Sequence, residues 1–344
     1  MSKRTLFRLL GGIGLALLVA GPVSAQVITL TLADQNSPTA WGATHAMAPW
    51  IKQVEQATKG RVKIQIYPSQ TLVKGPQTWN ALKSGVADIG WCFHGYWPDL
   101  TPLADVITLP SMPFKSAEKG SEVLWKLYEK FPAVQKEFRD VKVLMLWTSN
   151  PYFLLTTKKQ VKTLEDLQGM KIRVTGGPPT AQMKALGAVP TAIPMPDNYQ
   201  SLDKGVIDGM GAPWEAIHGF RLYEVAKYYT MAPLSAVYFS MSMNKQKWNS
   251  LPKDIQDAIM SVSGLNGSKF WGRNFFDSAQ TGVLQRVKAG KHPMIKYELP
   301  PQELARWSKV AGKPLWAEWV KKMESKGHPE AQQVLNAALE LLKN

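Results

Sequence analysis

Few stretches of this 344-residue chain carry residues that could do chemistry. In QGMKIRVTGGPP (168–179), Ile172 and Val174 alternate like a strand with Lys171, Arg173 and Thr175, and the pattern stops at a Gly-Gly-Pro-Pro turn. A guanidinium at the end of an interior strand is costly to bury unpaired, so Arg173 needs a partner. The five histidines, His45, His94, His218, His292 and His328, show no helical metal spacing and no neighbouring cysteine in a ligand pattern. Cys92 and His94 share a strand face at i and i+2, but without a third orienting group Cys92 reads as a small core hydrophobe. Gly176-Gly177 after a strand would suit a phosphate turn, yet Pro178-Pro179 supply no N–H for an anion. There is no nucleophile elbow, P-loop or dinucleotide fingerprint. The chain is therefore expected to bind rather than transform, with no cofactor and no metal.

The amino terminus indicates the compartment. Lys3, Arg4 and Arg8 precede the apolar run 9–20, and Val23-Ser24-Ala25 is a small-x-small site. Residues 1–25 read as a secretory signal peptide cleaved after Ala25, which places the mature chain in the periplasm. The single cysteine excludes an intramolecular disulfide. The formal net charge is +15, three units of it in residues 1–25. That balance suits an acidic partner, but the basic residues are scattered and match no nucleic-acid-binding pattern.

Periodic segments alternate between strand and helix. Residues 27–32, 62–67, 88–91 and 141–147 read as strands, with helical spacing in 46–57 and around Trp79 and Leu124. A second unit follows, with strands at 153–156, 171–175 and 190–193 and helices near 163–167 and 180–186. One more strand falls at 236–243, and from Pro252 the chain reads as almost all helix, Ser250 serving as the expected cap. This order predicts an α/β protein with two sheets and exchanging segments.

Several stretches together resemble the periplasmic solute-binding subunits of TRAP transporters, the dicarboxylate-binding-protein type. They are YPSQTLVKGPQTWNALKSGVADIGW (67–91), LPSMPF (109–114), TLEDLQGMKIRV (163–174), GAVPTAIPMPDNYQSLDKGVIDGMGAPWEA (187–216) and WNSLPKDIQDAI (248–259). The resemblance implies a two-lobed periplasmic binding protein fold, a long helix crossing both lobes and a ligand cleft between them. Lobe I would comprise 26–150 and about 236–277, and lobe II 151–235 and about 278–344. It also implies closure over the solute, docking on a membrane permease driven by a sodium gradient, and a monomer that binds no nucleic acid. Arg173 matches the arginine that in this family pairs with the solute carboxylate through two parallel N–H···O bonds. An internal acid such as Asp197 is the alternative partner.

Two departures narrow the solute. Where the family's acidic-sugar binders carry a second arginine, this chain reads Asn150-Pro151-Tyr152-Phe153, with Phe153 in the arginine's place. Where they carry an asparagine, it has Ala212. Trp91, Phe93, Tyr152, Met195 and Trp214 lie in or beside stretches that line the cleft in relatives, and lobe core is the alternative place for Trp91, Phe93 and Trp214. One carboxylate clamp among apolar rings favours an aromatic or hydrophobic monocarboxylate. A C4-dicarboxylate, a 2-oxo or hydroxy acid, or a sugar acid is the alternative solute. A sensory ligand-binding module and a secreted enzyme are the alternative roles.

Overall fold

The computed structural model describes residues 27–232 and 234–343. The expected leader and its cleavage site lie outside the described residues. The strands form two mixed sheets. The first has the order β2-β1-β3-β10-β4, with β1 (Ile28–Ala33), β2 (Val62–Tyr67), β3 (Ile89–Phe93), β4 (Val141–Thr148) and β10 (Tyr238–Asn244). β4 is apolar along its length because both of its faces are covered; only Lys142 is partly exposed. β10 returns from the second lobe and runs antiparallel to β3 and β4, which stitches the lobes together.

The second sheet has the order β11-β9-β5-β8-β6-β7. Its strands are β5 (Phe153–Thr156), β6 (Lys171–Val174), β7 (Val189–Ala192), β8 (Gly209–Ala212), β9 (Tyr228–Met231) and β11 (Ile295–Glu298). β8, β9 and β11 go beyond what the sequence pattern predicts. β8 reads Gly-Met-Gly-Ala, poor in strand formers, and its glycines serve proximity instead. A Cβ on Gly209 would lie 2.3 Å from the carbonyl oxygen of Leu155. The helix expected at 163–167 is a single turn, Glu165–Leu167, entered through the Asp166 carboxylate, which accepts from the N–H groups of Lys162 and Thr163.

A continuous helix runs over 264–289 and is ~39 Å long at 1.5 Å per residue. Its first part packs on the helix Ala117–Lys130 and on β4, and its last part packs on the helix Trp214–Gly219. Between them Gly272–Asp277 is π-helical. Gly272 sits where the helices cross; a Cβ there would come within 2.5 Å of both the Ala117 carbonyl oxygen and the Ser121 hydroxyl. Asp277 then reaches the amino end of the helix Ala117–Lys130. Its carboxylate accepts from the N–H of Ala117 at 2.8 Å and of Glu118 at 2.9 Å, and from the side-chain amide of Asn150 at 2.6 Å.

Two expectations need correction. Ser250 does not open the helix Lys253–Ser261; it ends the preceding helix, Lys245–Ser250, with its hydroxyl donating to the Lys247 carbonyl. Pro252 is extended and starts the next helix directly. The carboxy terminus does not stay in lobe II. Ala331, Val334, Leu335 and Ala338 on the helix Ala331–Lys343 join the lobe I core of Val123, Leu124, Leu127 and Phe138. The apolar face of that helix finds its partner on the helix Ala117–Lys130.

Replacing Asp277 with alanine strands two helix N–H groups and the Asn150 amide at the point where the chain passes between lobes. The expected cost is ~1–2 kcal/mol, read as a lower Tm in thermal denaturation, with Asp277→Asn recovering part of it. An unchanged Tm would show that water replaces the carboxylate without cost.

Candidate functional site

Arg173 is held by β6, whose neighbours β7 and β8 pair it with Thr191 and Met210. Strand alternation sends Ile172 and Val174 into the core of Leu154, Met183 and Trp307, and leaves Arg173 on the opposite face. Only 2% of the arginine is exposed. Its Nε donates to the carbonyl of Ile193 at 2.9 Å, which fixes the plane of the guanidinium. Among the described residues no carboxylate pairs with it, Asp197 included, and its two terminal nitrogens have no hydrogen-bond partner. Burial lowers its pKa, opposed by the nearby Tyr96 and Tyr152, but a guanidinium stays charged. The result is a buried positive charge without a protein anion.

Arg173 stands between two small cavities, and Tyr152 borders both. The one facing lobe I has about 340 Å³ of empty space, part of it open to solvent. Trp91, Phe93, Phe239, Phe275 and Phe276 form its aromatic wall, and Met195, Pro213, Ala216 and Phe220 cover it from lobe II. The wall follows from sheet register. Phe93 faces Phe239 and Trp91 faces Met241 across β3 and β10, and the Phe93 and Phe239 rings stack at 5.1 Å. The π-helical turn adds Phe275 and Phe276, with Phe275 6.0 Å from Trp91. Gln35, Asn36 and Glu215 supply the polar groups at its edge. The second cavity lies between Val174, Thr175, Gln182 and Ser235. A larger hollow lies elsewhere, where Asp99, Asp105 and Glu318 face Lys322; this acid-rich site offers no comparable seat for an anion.

The lobes meet around this cavity. Tyr96 donates to Gln35 Oε1 at 2.7 Å and accepts from the N–H of Met195 at 3.0 Å, so it bridges lobe I to lobe II. The N–H of Gly176 donates to the carbonyl of Gly95 at 2.9 Å. The Gly-Gly-Pro-Pro turn thus serves contact rather than phosphate binding. Gly177 has φ +72°, and a Cβ there would crowd Asp105 Oδ2 at 2.8 Å.

Of the candidates named from the sequence, Arg173, Trp91, Phe93, Tyr152 and Met195 converge on this cavity. Phe153, Ala212 and Trp214 do not line it. They pack in the lobe II core, Phe153 5.0 Å from Trp214 and both near Tyr229. Phe153 pairs with Ala212 on the sheet face that carries Arg173, but only the long arginine reaches the cleft. Sequence reasoning missed Gln35, Asn36, Tyr96, Glu215, Phe220, Phe239, Phe275 and Phe276. Two of these were within reach: Glu215 lies inside the quoted stretch 187–216, and Tyr96 follows Phe93 by three residues. Cys92 and His94 stay in the core, His94 held between Thr101 and Ser240, and take no part in the site.

Two lobes closed over a cavity with one unpaired arginine are the frame of a solute-binding protein. The sequence pattern of DctP, bacterial extracellular solute-binding protein family 7, matches residues 33–323, and the chain belongs to that family of solute-binding transport proteins. It is 29% identical over 322 residues to the outer membrane transporter protein TsaT of Comamonas testosteroni, covering 91% of this chain and 92% of that one. A TRAP solute-binding protein from Rhodoferax ferrireducens, solved with copurified benzoate, superposes with TM-score 0.86 at 28% identity, covering 92% of this chain and 98% of the other. A marine metagenome TRAP protein specific for aromatic acids, solved with 3-hydroxybenzoate, gives TM-score 0.86 at 29% identity, with the same coverage. No helix of the described residues is long and apolar enough to cross a membrane.

Burial sets the pH response of the ligand-free fold. His94 is pushed down to about 3 by burial, so its effect on stability ends above its ordinary value near 6.5. Burial raises Asp34 to about 7 and Glu137 and Glu215 to about 8. These carboxyls hold protons in the fold that the unfolded chain releases. Their stabilisation is complete below their ordinary values and is lost as the pH rises through 7 and 8. The Tm of the ligand-free protein is expected to fall from about pH 4.5 to about pH 8 and to level off above it, each such carboxyl contributing up to ~1.4 kcal/mol per pH unit. Glu215→Gln should show a smaller fall; an unchanged one would remove Glu215 from the set.

Proposed function

We propose that this protein captures an aromatic monocarboxylate in the periplasm and delivers it to the membrane subunits of a TRAP transporter. The observation that carries this reading is the Arg173 guanidinium, buried without a protein anion and facing an aromatic cavity. The solute carboxylate takes the two terminal N–H groups of Arg173, with the guanidinium plane already set by Ile193. The ring lies among Trp91, Phe93, Phe239 and Phe275, and Tyr152 and Met195 close it from lobe II. Phe153, Ala212 and Trp214 act from behind, as packing that leaves no second cation in the site. The benzoate and 3-hydroxybenzoate bound by the two similar structures support an aromatic solute. Export with cleavage after Ala25, action as a monomer and hinging of the lobes near residues 150 and 235 complete the reading.

A thermal-shift screen tests it. Benzoate-type monocarboxylates at about 100 times Kd should add ~2.7 kcal/mol and raise the Tm by several degrees. Glucuronate and succinate should not, and a shift by these alone would overturn the aromatic reading. Arg173→Met should weaken binding ~100-fold or more by removing the buried partner of the carboxylate. The same variant should leave the ligand-free Tm unchanged or higher, because it removes an uncompensated buried charge. Retained affinity in Arg173→Met would refute the clamp.

A further inference from the structure

A residue that borders the cavity of Arg173 carries a second unsatisfied polar atom. Glu215 lies in the first turn of the helix Trp214–Gly219, is 4% exposed and borders the same cavity. Its Oε1 has no hydrogen-bond partner among the described residues. An unmade hydrogen bond at a buried oxygen is expensive, and native folds keep few of them.

No described neighbour satisfies it. Pro213, Ala216, Phe220, Phe275 and Phe276 offer no polar side chain. The Asn36 amide donates to Asp34 Oδ1 at 2.7 Å, Gln35 Oε1 accepts from Tyr96, and neither side chain is bonded to Glu215 Oε1. Arg173 forms no ion pair with Glu215, and its charge is not among those that act on that carboxyl. Tyr152 feels both Arg173 and Glu215 and so lies between their fields. Burial, with Asp34 adding to it and the Gly42 N–H opposing, keeps the Glu215 carboxyl protonated at neutral pH. A neutral carboxyl can both donate and accept, which matches a hydroxyl and leaves no charge to be balanced.

We propose that Glu215 is a second recognition group of this cavity, hydrogen-bonding a hydroxyl that the solute carries away from its carboxylate, so that hydroxylated aromatic monocarboxylates are the preferred solutes. This rests on the aromatic reading of the site and refines it. Arg173 seats the anionic end, the rings hold the body, and Glu215 reads the substituent.

The experiment is calorimetric titration of the full mature chain and of Glu215→Gln and Glu215→Leu, with benzoate, 3-hydroxybenzoate, 4-hydroxybenzoate and 4-(aminomethyl)benzoate. The wild type should bind at least one hydroxybenzoate ~10-fold tighter than benzoate, the worth of one good hydrogen bond. Glu215→Leu should erase that preference while benzoate affinity stays within about threefold. Glu215→Gln, which keeps a donor and an acceptor, should retain part of it and serves as the test if the leucine variant does not fold. Equal wild-type affinity for benzoate and both hydroxybenzoates overturns the proposal, as does an equal loss for all ligands in Glu215→Gln. Tightest binding of the aminomethyl compound also overturns it, by making Glu215 a counter-ion. If the wild type binds none of these acids, the aromatic reading itself fails and this inference falls with it. Wild-type benzoate binding therefore tells the two failures apart.

Discussion

A guanidinium sealed in a protein without an anion is an energetic debt, and the architecture around Arg173 is organised to hold it open. Desolvation of a charge costs several kcal/mol even after relaxation. The position on β6, flanked on both sides, prevents the side chain from swinging out to water. The single bond from Nε to Ile193 orients the group without using the two nitrogens that a carboxylate needs. A second internal acid would relieve the strain and silence the site, and none of the described residues supplies one. The fold thus gives up stability at this point, which the carboxylate of the proposed solute would restore.

That exchange works only if the cavity can open and shut, which places the next demand on the frame. The helix over 264–289 belongs to both lobes, and its π-helical turn lies at the passage between them. There Gly272 lets the helices touch, while Asp277 ties the amino end of a lobe I helix to Asn150, the last residue before the crossover. Phe275 and Phe276 come from the same turn and form part of the aromatic wall. The element that joins the lobes therefore also lines the candidate cavity. The Tyr96 bridge and the Gly95–Gly176 contact are polar and few, as suits a closure that must be reversed.

The parts of this design that were legible in the sequence are those set by local periodicity. Ile172 and Val174 showed which face Arg173 takes, and the unbroken apolar run of β4 showed a strand covered on both sides. Period-two alternation gives a face but not a depth along it. Phe153, Ala212 and Arg173 share a face of the second sheet, yet only the arginine is long enough to reach the cleft, so two of the three expected contacts became core. Phe239 reaches the wall through its pairing with Phe93 146 residues away in the chain. Asn36 and Gln35 gain meaning only from what faces them across the cleft. The final helix carried a clear apolar stripe, but the stripe does not say which lobe will cover it.

Charge counting closes the account of selectivity. Of the groups that border the cavity, Arg173 alone is charged at neutral pH, since burial keeps Glu215 and Tyr152 protonated. A monocarboxylate brings the closed site to neutrality. A dicarboxylate leaves one anion without a partner in a space walled by rings, and a neutral solute leaves Arg173 as costly as before. In a low-dielectric cavity each mismatch is penalised far more than in water. Electroneutrality therefore supports the proposed preference for a single negative charge. In the proposed reading the aromatic wall and Glu215 would act on the body of the solute, where hydrophobic contact and one hydrogen bond are the means of discrimination that remain.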